Sequence, residues 1–190
     1  MTLKLIAGPA SEPITLEEAK LHLRVEHTAD DTLITALIQS ARQQAEHLLH
    51  RPLVTQTWER VLDAFPPVEL ELGMPPVSTI VSVKYIDTNG IEQTLSPGLY
   101  SFDADSEPGW VLPAVDTDWP DTLDTSNAVR VRFTCGYGGA SDVPEIIKAW
   151  MKVSIGTMYK VREGVVVGVT VTDVPGRFID GLLDPYRYYG

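Results

Sequence analysis

Apolar positions change their period twice along this chain. In "ITLEEAKLHLRV" Leu16, Ala19 and Leu23 recur at helical spacing, and Thr15 with Glu18 three residues on has the form of a capping box. The next stretch, "ADDTLITALIQSARQQAEHLLHRP", places Leu33, Ile34, Leu37, Ile38, Ala41, Ala45, Leu48 and Leu49 on one stripe. Asp30 or Asp31 is the expected cap, Pro52 the stop, and Gln39, Arg42, Gln43 and Glu46 the solvated outer face. From Leu53 to Tyr137 the period drops to two. "VTQTWERVLD" and "VSTIVSVKYID" alternate, Asn89-Gly90 marks a hairpin turn, and "AVRVRFTCGY" sets Val129, Val131 and Phe133 on one face. Residues 99–128 are rich in Pro, Asp and Gly, and little regular structure is expected there. Helical spacing returns in "SDVPEIIKAWMKVSIGTMYKVRE". Asp142 is the expected cap, Pro144 sits in the first turn, and Ile146, Ile147, Trp150, Met151, Ser154 and Met158 form an inward stripe.

This pattern predicts an α+β fold in which helices bracket a β-rich insertion. Residues 1–52 and 138–190 form the helical domain, a bundle of two N-terminal helices plus one or two C-terminal ones. Residues 53–137 form the β-rich lobe. The stripe of the second helix is expected to pack on Ile146, Ile147 and Trp150 of the third. "GVVVGVTVTDV" reads as a hairpin or arm: Val165, Val166, Val167, Val169 and Val171 have high β propensity, and an isolated hairpin is marginal in water. Such an arm is a candidate partner interface, completed by a neighbouring subunit. "FIDGLLDPYRYYG" predicts a short final helix, with Leu182, Leu183 and Tyr186 as anchors and Arg187, Tyr188 and Tyr189 projecting beyond the fold. Tyr and Arg are common at binding hot spots, so these three are a second candidate interface; packing on their own domain is the bland alternative.

Composition narrows the chemistry. At 190 residues and 44% hydrophobic content, the chain can bury one ordinary core with a smaller lobe. A single cysteine, Cys135, excludes an internal disulfide. The opening "MTLKLIAGPASEP" lacks the apolar run of a signal peptide, and no segment is apolar for long enough to span a membrane. The formal net charge of −11 argues against sequence-independent nucleic-acid binding, which depends on Lys and Arg neutralising phosphates. That charge is unevenly spread. Between Lys84 and Arg130 there are nine acids and no basic residue. Asp103, Asp105, Glu107, Asp116, Asp118, Asp121 and Asp124 are therefore a candidate acidic surface that would repel DNA; plain solubility is the alternative reading.

Catalytic and metal motifs are missing. Asp103, Asp105 and Glu107 alternate as in a calcium loop, but Pro108 and Ala114 stand where an EF-hand needs Gly and Glu. His47 and His50 have a helical ligand spacing without the remaining ligands, and His22 and His27 supply no motif. "CGYGG" and "GVVVG" lack the phosphate-loop pattern, and Cys135 reads as a core residue. No catalytic residue, metal ligand or cofactor is expected.

One resemblance runs through nearly the whole chain. "ITLEEAKLHLRVEHTADDTLITALIQSARQQAEHLLHRPLVTQTWE" resembles the opening of head–tail connector proteins of tailed double-stranded DNA bacteriophages, including the strand entry Arg51, Leu53, Gln56, Thr57 and Trp58. "PPVSTIVSVKYIDTNG", "PGWVLPA" with Trp119-Pro120, "VRVRFTCGYG", "VPEIIKAWMKVSIGTMYKVRE" and "LLDPYR" follow in that family's order. The resemblance implies a non-enzymatic connector at the virion head–tail junction, made in the bacterial host cytoplasm. It implies a ring of about twelve copies beneath the portal, with DNA passing through unbound and a tail-completion or stopper protein docked below. A monomer in isolation is compatible with that role. The alternatives are a non-catalytic protein- or ligand-binding module of another assembly, or a metal-dependent enzyme without a recognisable motif.

Overall fold

The computed structural model describes residues 2–161 and 180–189. In chain order the elements are β1 (Thr2–Ala7), α1 (Leu16–Leu23), α2 (Asp31–Leu49), β2 (Gln56–Leu62), β3 (Leu70–Glu71), β4 (Val77–Ile86), β5 (Glu92–Thr94), β6 (Tyr100–Asp103), β7 (Trp110–Pro113), β8 (Val129–Cys135) and α3 (Glu145–Lys160). The chain is thus mixed α+β, with three α-helices and two antiparallel sheets among the described residues. It divides into two compact units. Residues 11–54, 138–161 and 180–189 form the helical unit, and residues 2–10 and 55–137 form the β unit.

In the helical unit, α1 starts on the expected capping box. Thr15 Oγ1 accepts from Glu18 N at 3.1 Å, and Thr15 N donates to Glu18 Oε2 at 2.8 Å. Ile34, Ile38, Ala41, Ala45 and Leu49 of α2 are buried, as are Ile147, Trp150, Met151 and Ile155 of α3. The two helices pack together and run antiparallel: the Tyr159 hydroxyl donates to Asp30 at the start of α2, and Ser154 Oγ meets Gln44 Oε1 at 3.4 Å further along. Leu183 is fully buried in the same unit, and Trp150 Nε1 donates to Asp180 Oδ1 at 3.1 Å.

Several helical details differ from the sequence reading. Leu33 is 36% exposed, because the buried arc of α2 centres on Ile34 and Ile38. Asp30 is the N-cap residue but makes no side-chain cap bond, since its carboxylate takes the Tyr159 hydroxyl. Asp31 pairs with Lys20 Nζ at 2.6 Å. Arg42 is buried, not solvated: its Nε reaches Glu12 Oε2 and its Nη1 reaches Glu46 Oε2, both at 2.7 Å. Burial alone would lower the Arg42 pKa, but the Glu12 bond and the charges of Glu46 and Glu12 outweigh it, and the net direction is up. Asp142 caps the 3-10 turn Ala140–Asp142 through Gly139 N, at 2.7 Å, and α3 begins three residues later, at Glu145. A Cβ at Gly138 would collide with that same carboxylate, at a φ of 129° that suits only glycine. The first residues of the expected final helix lie outside the described residues; Asp180 is helical, and Asp184–Tyr186 form a 3-10 turn at Pro185. Pro185 supplies no N–H, and the turn closes through Tyr186 N and Arg187 N.

The β unit is two sheets packed face to face. The larger has strand order β1-β2-β8-β4-β5 and the smaller β3-β7-β6. Val129, Val131, Phe133 and Cys135 of β8 alternate inward, and Leu70, Leu72 and Val111 meet them from the small sheet in one buried cluster. Phe65 stacks on Trp119 with ring centroids 4.7 Å apart and meets the edge of Tyr85 at 5.8 Å, closing one side. The β4–β5 hairpin turns at Asn89-Gly90, with Gly90 at φ 82° and Asp87 Oδ1 accepting from Asn89 N and Ile91 N. Two sequence expectations are corrected here. Residues 2–7 were grouped with the helices, but they form an edge strand paired to β2, with Leu3 opposite Arg60 and Leu5 opposite Trp58. Residues 99–128 were expected to be irregular, but they contain the β6–β7 hairpin, whose four-residue strands are too short for alternation to stand out.

Candidate interaction surfaces

Pairing register fixes which side chains share a face, because residues directly opposite one another point the same way. On the outer face of the large sheet, Lys4 (β1) stands opposite Glu59 (β2), Glu59 opposite Arg132 (β8), and Arg132 opposite Ser82 (β4). One step along, Arg130 stands opposite Lys84. The β unit has five basic residues in all, and four of them (Lys4, Lys84, Arg130 and Arg132) lie on this face. Arg132 Nη2 contacts Glu59 Oε2 at 2.9 Å, Lys84 Nζ contacts Glu92 Oε1 at 2.8 Å, and Arg130 lies 3.5 Å from Glu92. The bond from Lys84 and its charge, with Arg130 beyond, hold the Glu92 carboxyl below its ordinary pKa. The cationic side chains stay over 40% exposed at Lys84, Arg130 and Arg132.

The small sheet has the opposite character. On its outer face Trp110 stands opposite Glu71 on one side and Asp103 on the other. Trp110 is half-buried and is not among the residues packed on the core cluster. The turn that follows β6 carries Asp105 and Glu107, both exposed. Asp103 Oδ1 accepts from Asp105 N at 3.0 Å and Ser106 N at 3.1 Å, so this acid also shapes the turn. Bonds from the Ser106 side chain and backbone, then from Asp105 N, lower its pKa. Asp116, Asp118, Asp121 and Asp124 are exposed on the connection to β8, beside Val115, which is 90% exposed.

The remaining candidates fall elsewhere. Val165, Val166, Val167, Val169 and Val171 lie outside the described residues. Arg187 and Tyr188 do not project: both are half-buried, and Tyr188 N donates to Leu49 O at 2.9 Å. Arg187 lies 3.5 Å from Asp184 and its guanidinium carbon is 5.9 Å from the Tyr189 ring centre. Tyr189 alone of the three reaches out, at 74% exposure. His47 and His50 are both exposed, with ring centres 6.2 Å apart. Among the described residues no group of three or more His, Cys, Asp or Glu could hold a metal ion, and no helix is long and apolar enough to cross a membrane. An open groove of about 580 Å³ lies along α1, lined by Leu16, Lys20, Leu21, Arg24, Val25 and Asp31. Sequence reading missed the basic face, although Arg130 and Arg132 flanking inward Val131 carried its signal.

Residues 13–95 match the model of the phage gp6-like head-tail connector protein family. That segment is similar to this family. It runs from the capping box of α1 through the β4–β5 hairpin, so it includes elements of both units. No curated protein matches the chain. Three solved structures share its fold over the whole length. A chain of the neck of an empty GTA particle computed with C6 symmetry superposes with a TM-score of 0.80 at 19% identity, covering 100% of this chain and 97% of that one. A chain of the virion of a native gene transfer agent (GTA) particle gives 0.79 at 18% identity, and one of the neck of a native GTA particle computed with C12 symmetry gives 0.78 at 18%, each with the same coverage.

Proposed function

We propose that this protein is a ring-forming connector of the head–tail junction. About twelve copies assemble beneath the portal, surround part of the DNA path and present a docking face to a tail-completion or stopper protein. The observation that carries the reading is the end-to-end fold match to neck subunits, one of them from a particle neck computed with C12 symmetry, joined to the family match over residues 13–95. In this role Asp116, Asp118, Asp121 and Asp124 face the passing duplex and repel it, since each Lys or Arg contact to phosphate would add affinity and slow passage. Val165 to Val171 and the terminal Tyr189 serve as contacts to neighbouring subunits or rings. The test is electron microscopy and native mass spectrometry of the chain alone and mixed with its portal. Rings, or portal-bound rings, are the expected result. A chain that stays monomeric and never binds portal would overturn the proposal.

A further inference from the structure

A closed ring needs a heterologous contact, in which one surface of each copy meets a different surface of the next. The β unit presents two such surfaces on opposite sides of one sandwich. The outer face of the large sheet gathers Lys4, Lys84, Arg130 and Arg132, in a chain whose net charge is −11. The outer face of the small sheet carries Glu71 and Asp103 flanking Trp110, with Asp105 on the turn beyond. Charge is thus sorted by face.

Building on the ring reading above, we infer that these two faces are the mating surfaces between adjacent copies: the basic face of one large sheet seats against the acidic face of the next copy's small sheet. The chemistry fits on both sides. Trp110 offers a flat ring for an arginine guanidinium to stack on, and the flanking carboxylates accept its N–H groups. Arg130 suits this role because its contact to Glu92 is the loosest on its face, at 3.5 Å, which leaves donors to spare. Arg132 is held at 2.9 Å by Glu59 and Lys84 at 2.8 Å by Glu92, so these two supply field more than bonds. An acidic copy needs this sorting, because like-charged faces would otherwise keep the subunits apart.

The experiment uses full-length chain with two pairs of substitutions, Lys4→Glu with Arg130→Glu, and Glu71→Lys with Asp105→Lys. Lys4, Arg130 and Asp105 are exposed and Glu71 is half-buried, and circular dichroism melts check that each variant folds. Self-association is followed by native mass spectrometry and sedimentation, alone and on portal. Each variant by itself should associate at least about tenfold more weakly than wild type, and added salt should weaken the wild type in the same direction. Mixing the two variants in equal amounts should restore assembly. In an alternating ring every second contact pairs two unaltered faces and the contacts between are rebuilt with their polarity exchanged, so an even-numbered ring can close that way. If the single variants form rings as well as wild type, or the mixture stays dissociated, the mating surfaces are elsewhere and the connector role stands. If wild type never self-associates with or without portal, both readings fall. If Lys4→Glu with Arg130→Glu abolishes duplex DNA binding and leaves self-association intact, the basic face belongs to DNA instead.

Discussion

The two units treat charge in opposite ways. In the helical unit, Arg42 is drawn inward between Glu12 and Glu46, and Glu46 Oε1 also accepts from Leu53 N at 3.0 Å. One cation thereby ties the segment before α1, the body of α2 and the chain beyond it. In the β unit, the cations stand on an outer sheet face with more than 40% of the side chain exposed at three of the four positions. The first arrangement is internal architecture, because an unpaired buried charge is costly. The second contributes little to folding and leaves charge available to something outside.

That contrast can be broken in order of effect. Arg42→Ala leaves two half-buried carboxylates facing each other, and should destabilise the chain by about 3 kcal/mol in denaturant unfolding. A loss within about 0.5 kcal/mol would mean Arg42 is surface in practice. Ile34→Ala should cost about 3 kcal/mol as a core truncation, whereas its neighbour Leu33→Ser should stay within about 0.5 kcal/mol; equal losses would misplace the buried arc of α2. Leu37 is only partly buried, so Leu37→Ala should fall between those two, at about 1–2 kcal/mol. Arg132→Ala removes an exposed partner of Glu59 and should cost well under about 1 kcal/mol by the same unfolding curve.

The smallest effect is in acid. Gln93, then Ile91 N and Asn89 N, bond the Asp87 carboxylate and hold its pKa down, and Ser106 does the same for Asp103. A depressed carboxylate contributes stability that is complete above its unfolded pKa of about 3.9 and disappears as pH falls through the lower folded value. Wild type should therefore lose a little stability on acidification below about pH 4 that Asp87→Asn does not lose, measured as melting temperature against pH. Parallel curves for the two proteins would remove Asp87 from the account.

What the sequence displays depends on the range of the cause. The capping box at Thr15 and Glu18, the Asn89-Gly90 turn and the alternation of Val129, Val131 and Phe133 are local, and all three stand in the structure as read. Arg42 was misread because its fate is decided by Glu12, thirty residues away. β1 went unseen because "TLKLIA" is short and its partner lies beyond two helices. β6 and β7 were hidden by length and by the Pro- and Asp-rich turns around them. The acidic segment was visible as composition, but its division between a sheet face and a separate connection depends on register. Arg130 and Arg132 around Val131 mark the basic face in the sequence, but Lys4 and Lys84 join it only once four strands are placed side by side.

The pairing of β1 has a consequence for how the molecule is made. Leu3 meets Arg60, and β2 in turn lies between β1 and β8, with Arg60 opposite Val131. β1 therefore joins a sheet whose inner strand, β8, is synthesised roughly 130 residues later, after both intervening helices have had time to form. Such a long closure is slow and leaves Leu3 without its core contacts in the interval. The growing chain carries β1 as a sticky, unfinished strand until its sheet is ready to receive it, and that strand is the natural point for a chaperone, or a premature neighbour, to intervene.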